Sequence, residues 1–381
     1  MMRVLFCGDV MVGGRLPYNE GGRYITSEMM EYLHSFDILA GTLECAIGTG
    51  IEMDPAKMST TKSIIYARDE DFFRILDMGF DVLSLANNHA TDLGKEGLRN
   101  TIRLLDENHI KHCGAGMNLS EARQPAVITK DNMSIAIIGC LFSGVSPTIF
   151  HVATDTDYGV YQTTIEQIED QIREVKACYD KVVIMPHWGE EYTYLPPLYC
   201  KSYARRMIEA GADLIIGDHP HIINPVVKFN NVSCYFSLGN FLFPDRFLEV
   251  PRPTFYPDVN SNFNSIKRVW SYPKTVDEPI LSVHRGRNRV GMAVEATFHD
   301  KKTTSRYQLV ALDENNILKR YKCINEKIKR LRMFVFGLFI RSGRYSLIRR
   351  YYNSRKNIFR RAVHKLSDMF QIVYDIDISV D

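Results

Sequence analysis

Short apolar runs recur from the start of the chain to residue 216, at 3–7, 38–43, 82–86, 135–139, 182–185 and 214–216. Each is uninterrupted rather than alternating, the pattern of a strand covered on both faces. Between them lie segments with apolar residues three and four apart, at 27–34, 70–78, 95–108, 165–178 and 201–210. These predict amphipathic helices. Strand and helix in alternation predict an α/β fold with a central sheet layer covered by helices. Asp92 stands where a cap would open the helix carrying Leu98, Ile102 and Leu105. Gly211 stands where the helix at 201–210 should stop. Prolines and aromatics then crowd residues 244–280 without a period, which predicts a long irregular excursion. Strand-like runs resume at 290–298 and 307–312, and the pattern reads as helical from Asn316 onward. These shifts divide the chain into a main domain over 1–315 and a helical tail over 316–381.

With 45% hydrophobic and 24% charged residues, the chain has the balance of a globular protein. Its formal net charge of +2 gives no general basis for holding nucleic acid, and none is expected as a partner. The charge is nonetheless uneven. Residues 327–365 hold thirteen Lys or Arg and no Asp or Glu, interleaved with Phe, Tyr, Leu and Ile. Leu347, Tyr351, Ile358, Phe359 and Val363 fall there at roughly helical spacing. Three readings stay open: helices packed on the main domain with a basic outer face, peripheral attachment to an anionic membrane, or docking to an acidic partner or complex. The eight cysteines include no CxxC pair, and several sit inside apolar runs, which predicts buried free thiols in a reducing compartment. No apolar stretch approaches the roughly 20 residues of a membrane span. The chain enters its first strand-like run without a signal-peptide pattern, so a cytoplasmic location is expected, with the inner membrane surface as a peripheral site.

The chemistry stands at the ends of the apolar runs. Asp9 follows the first, Glu44 the second, and Asn87, Asn88 and His89 the third. His187 follows the run at 182–185, and His219 and His221 follow the run at 214–216. In parallel α/β sheets the residues just past the carboxyl ends of the strands line a common crevice. Two carboxylates, an amide and several imidazoles therefore converge on one edge. Such a mixed oxygen and nitrogen set suits divalent ions such as Mn, Fe, Zn or Co, with Mn, Fe or Zn foremost. The expected chemistry is Lewis-acid polarisation of a phosphoryl oxygen and activation of a water. Arg15 and Arg68 are candidate cations for an anionic substrate, and Glu191 is a candidate substrate contact. A surface role for the two arginines, and loop packing for Trp188 and Tyr192, are the alternatives. The glycines at 13 and 14 form no phosphate-binding P-loop.

The stretches GDVMVGGR, TLE, SLANNHATDLGKEGL, HWGEEY, GADLIIGDHPHI and YFSLGNFLF resemble, in order, the motifs of the CapA family. These are bacterial capsule-synthesis, or poly-γ-glutamate capsule biosynthesis, proteins related to calcineurin-like metallophosphoesterases. The resemblance covers roughly residues 2–245. It implies a four-layer α/β/β/α sandwich, with the basic helical extension outside it, and a one- or two-metal centre between the sheets. It further implies Asp9 on the first metal, Glu44 bridging, Asn88 and His187 on the second, and His219 and His221 one on each. His89 resembles the family histidine that protonates a leaving oxygen or stabilises the transition state. The implied activity is hydrolysis of a phosphoester or related acidic conjugate in cell-surface polymer synthesis. A non-catalytic metal-binding accessory subunit of the same machinery is the alternative. The chain departs from the pattern in two ways. Relatives usually carry Asp-x-His at the first motif, whereas Val10 and Met11 follow Asp9, so that half of the centre lacks an imidazole. Asp218 and Thr42 replace a His and an Asn, and Asp218 is read either as a turn residue or as a partner of a liganding His.

Overall fold

The buried runs pair into two sheets because each must satisfy its backbone groups away from water. The computed structural model describes residues 1–16, 23–53, 63–142, 150–249, 253–257, 266–270, 278–284, 286–321 and 324–353. In chain order the core strands are β1 (Met2–Val10), β2 (Ile38–Leu43), β3 (Val82–Ser84), β4 (Lys111–Cys113), β5 (Ala126–Lys130), β6 (Met133–Phe142), β7 (Gln162–Thr163) and β8 (Lys181–His187). There follow β9 (Leu214–Ile216), β10 (Val226–Phe229), β11 (Val232–Tyr235), β12 (Asn240–Leu242), β13 (Val290–Phe298), β14 (Thr303–Leu312) and β15 (Leu318–Arg320). The first sheet runs β15-β14-β13-β1-β2-β3-β4, with β12 also paired to β1. The second runs β7-β6-β8-β9-β11-β10, with β5 also paired to β6. Parallel pairing dominates where the site lies, along β1, β2 and β3 and along β6, β8 and β9.

Side-chain alternation shows how the layers stack. In β1, Met2, Val4 and Phe6 join one buried cluster while Leu5 and Cys7 join another. In β6 and β8, Ile135, Ile137, Val183 and Met185 share the first cluster with β1. Their neighbours Ala136, Ile138, Val182 and Ile184 share the second with helix residues. Successive side chains of a strand point to opposite faces. One cluster is thus the seam between the sheets, and the other is packing under the helices. The result is the four-layer α/β/β/α sandwich. It explains why the strands read as unbroken apolar runs: both faces are covered.

The helices follow from local chemistry. They are α1 (Ser27–Leu33), α2 (Phe73–Met78), α3 (Gly94–Glu107), α4 (Leu119–Arg123), α5 (Ile165–Cys178), α6 (Leu198–Ala210), α7 (Ile324–Arg341) and α8 (Tyr345–Asn353). Thr164 and Gln167 form a capping box at the start of α5, which buries Ile165, Ile168, Ile172 and Val175. Gly211, with φ at 122°, ends α6.

Three expectations change. Asp92 does not cap α3, whose N-terminus carries no side-chain cap; its carboxylate is used elsewhere, as described below. The stretch read as irregular contains a small sheet of Arg246–Leu248, Lys267–Trp270 and Ile280–Val283, built on short strands without a period to reveal them. Residues 250–252, 258–265 and 271–277 of that stretch lie outside the described residues, as does the tail beyond 353, with Ile358, Phe359 and Val363. The segment after Asn316 begins as an edge strand, β15, before α7. Among the described residues seven cysteines are free, and six of them are buried. No described helix is long and apolar enough to cross a membrane.

Candidate metal centre

Both sheets send their carboxyl ends to the same place. Asp9 lies near the end of β1, where the register with β2 and β12 slips. The slip accompanies a close backbone approach: a Cβ on Gly8 would lie 2.0 Å from Gly239 O, so only glycine fits there. Glu44 follows β2, and Asn88 and His89 lie in the turn after β3. His187 is the last residue of β8, and His219 and His221 follow β9. Both of these histidines have positive φ, 94° and 54°, a strained conformation for such side chains that tends to mark functional loops.

Two donor triads result, Glu44 with His187 and His219, and Asp9 with Glu44 and His221. Within each, the donor atoms all lie within 4.8 Å of one another, and Glu44 belongs to both. Asn88 Oδ1 lies 2.7 Å from His187 Nε2, which adds an amide oxygen to the first triad. His219 Nδ1 lies 3.1 Å from His187 Nε2. His221 Nδ1 lies 3.3 Å from Asp9 Oδ2, and Glu44 Oε1 lies 3.7 Å from His187 Nε2 and 3.6 Å from His221 Nε2. The halves are unequal. Met11, fully buried, offers no imidazole to the half around Asp9.

The residues fit a divalent cation by their own hydrogen bonding. Asp9 and Glu44 are fully buried, yet none of their four carboxylate oxygens has a hydrogen-bond partner among the described residues. The same holds for His187 Nδ1 and His219 Nε2. Buried polar atoms left in this way call for an ion or water. Electrostatics agree. Burial, then the Asp9 charge, pushes the Glu44 carboxyl well above the usual carboxylate range. Burial and neighbouring imidazoles hold His187 well below the usual imidazole range, and burial takes His219 down to about 4. His221 is raised: burial opposes its charge, but the Asp9 carboxylate and the Asn240 contact outweigh it. Crowded carboxylates beside imidazoles such as His187 and His219, held toward the neutral form, are what a divalent ion satisfies.

Several residues position these donors. Asn240 Oδ1 lies 2.9 Å from His221 Nδ1, while Asn240 Nδ2 donates to Asn288 O. The Tyr192 ring stacks on His221 at 5.8 Å. Trp188 is buried and donates from Nε1 to Phe236 O at 2.9 Å, a loop-packing role. Asn87 donates to Leu43 O and accepts from His89 N, holding the turn against β2. His89 Nδ1 lies 2.7 Å from Asp92 Oδ2, which also accepts from Ile65 N at 2.6 Å. The three-residue spacing of His89 and Asp92 was the available signal for this pair. The two residues of the second departure, Thr42 and Asp218, touch each other, since Thr42 Oγ1 donates to Asp218 Oδ2 at 2.6 Å. Asp218 is buried, and burial followed by the Asp9 charge raises its carboxyl well above the usual range.

The remaining candidates lie around this set. The negative charge of Glu191 is felt at His219 and His221. Arg68 pairs with Asp71 and Glu70 and lies over the Tyr256 ring. Arg15 is half-buried, and its N–H donates to Asp245 O.

The chain is similar to known capsule-biosynthesis proteins. The PGA biosynthesis protein CapA of Bacillus subtilis is 32% identical over 243 residues, 62% of each chain. The capsule biosynthesis protein CapA of Bacillus anthracis is 30% identical over 244 residues, 62% of this chain and 58% of that one. The chain thus spans about three fifths of the length of the curated relatives it matches. Among solved structures, the calcineurin-like phosphoesterase YfkN of Bacillus subtilis superposes with a TM-score of 0.42 at 14% identity, over 90% of this chain and 99% of that one. The family model described as bacterial capsule synthesis protein PGA_cap matches residues 3–245, a span that contains both donor triads and the His89–Asp92 pair, and the chain belongs to that family.

Proposed function

We propose that this protein is a divalent-metal-dependent hydrolase of a phosphoester or related anionic conjugate, working in capsule or poly-γ-glutamate synthesis. The observation that carries the reading is Glu44, a buried carboxylate shared by two donor triads, whose oxygens have no hydrogen-bond partner among the described residues. Asp9, Glu44, Asn88, His187, His219 and His221 would hold one or two ions, with Mn, Fe or Zn suited to the donors. When bound, such an ion polarises a phosphoryl oxygen and acidifies water. The chain's own part is to place a proton. Asp92 holds the Nδ1 side of His89 and favours the imidazolium, leaving Nε2 to donate to a leaving oxygen. Arg15 and Glu191 are the proposed substrate contacts, and Arg68 serves only if it leaves its acidic partners.

The accessory reading rests on Met11, which leaves the Asp9 half with three donors. One experiment separates the two: metal analysis of the purified protein, with a screen of phosphomonoesters and phosphodiesters under Mn, Fe and Zn. Bound metal, lost in Asp9→Ala and His187→Ala, together with turnover lost in His89→Ala, is the expected result. A protein that takes up no metal overturns both readings. Metal uptake without any turnover favours the accessory role.

A further inference from the structure

The helix pair at the end of the described chain is apolar on two opposite sides. One side is spent on the body: Met333, Phe336 and Ile340 of α7 and Tyr345 and Tyr352 of α8 are buried, and Phe336 packs against Tyr194 and Tyr352. The other side is bare. Leu331, Phe334, Val335 and Leu338 recur along α7 at helical steps and stand 36 to 63% exposed. Leu347 and Tyr351, four apart on α8, are 63 and 70% exposed. An apolar stripe of this length is not left in water without a use. Cations fringe it: Arg341, Arg344 and Arg350 are exposed at the turn between the helices and along α8. Two further arginines are turned inward, Arg330 over the Tyr307 ring and Arg349 to Glu190 at 2.7 Å.

From this arrangement we infer that α7 and α8 form a docking surface for an anionic lipid bilayer. An interfacial helix lays an apolar stripe among the acyl chains while flanking cations meet the headgroups, and each cation near an anionic leaflet adds attraction. Charge selects this occupant over a second copy of the chain. Pairing two such faces would bring the cations of one against those of the other, and residues 327–365 contain no Asp or Glu to offset them. The pair lies outside residues 3–245, so the surface is not part of the matched family region. It is joined to the metal centre, however. Tyr345 donates to Pro196 O at 2.6 Å, and Arg349 pairs with Glu190, the residue before Glu191 and Tyr192 at the centre's edge. The inference does not depend on the hydrolase reading.

The test is cosedimentation of the full chain with phosphatidylglycerol–phosphatidylcholine vesicles and with pure phosphatidylcholine vesicles, at low and high salt. Binding to the anionic vesicles alone, weakened by salt, is expected. The combined variants Leu331→Ser/Phe334→Ser/Leu338→Ser and Arg341→Gln/Arg344→Gln/Arg350→Gln should each reduce partitioning about tenfold or more. These side chains point away from the body, so the thermal melt should be unchanged. As a second readout, Phe334→Trp should show a blue-shifted emission on adding anionic vesicles. Absence of binding to anionic vesicles, or binding that both combined variants retain, overturns the inference. So does a lipid-free, concentration-dependent dimer that the Leu/Phe variant dissolves.

Discussion

Asp92 sits three residues beyond His89, and its Oδ2 meets the imidazole Nδ1 and the N–H of Ile65. A carboxylate so placed orients the ring and stabilises its charged form without touching the reacting atoms. Asp92→Asn keeps an oxygen for Ile65 but removes the charge. The variant should keep its metal content while the turnover number for a phosphoester falls by about 10²-fold or more with KM little changed. Metal analysis beside steady-state kinetics reads this, and an unchanged turnover number would remove Asp92 from the mechanism. The same scale explains a misreading. Asp before a helix is usually a cap, and only the folded turn shows that its oxygen is taken by His89.

At the scale of elements, the centre exists because two sheets end together. Asp9, Glu44, Asn88 and His89 come from the first sheet, and His187, His219 and His221 from the second. Thr42 in β2 and Asp218 after β9 tie these ends across the seam by one buried hydrogen bond of 2.6 Å. Thr42→Val would leave a buried carboxylate oxygen without its donor, which costs about 1–3 kcal/mol. Denaturant unfolding should show that loss. Adding Asp218→Asn should recover part of it, since the two sites are coupled. Simple additivity in the double variant would mean that the bond is not a shared support. The pairing also gives the replacements at Thr42 and Asp218 one reason: they are the two halves of a single contact.

At the scale of the whole molecule, α7 and α8 pack as part of the body. Ile340 is fully buried at the end of α7, and Tyr345, on the next helix, reaches the loop beside the metal centre. Ile340→Ala should lower global stability by about 2–5 kcal/mol, as for other buried large-to-small changes, with a single unfolding transition. A separate early transition, with the main transition unshifted, would show the tail melting independently of the sandwich. Packing and lipid docking are compatible because they use opposite sides of the same helices.

The sequence by itself determined the strands of the site, the helices between them and the order of the ligand-type residues. Those signals are local: an apolar run covered on both faces needs no partner to be recognised, and a polar residue at its end is visible at once. It also carried the imbalance at Met11, since a missing imidazole can be read from one position. Tertiary structure decided that His219 joins the triad with His187 and His221 the triad with Asp9, because Glu44 meets His187 and His221 only when the two sheets close. It likewise decided that Asp92 serves His89, that Thr42 meets Asp218, and that the small sheet at 246–283 forms. These contacts are made between residues distant in the chain or folded into tight turns, where side-chain direction, not spacing, sets the partner.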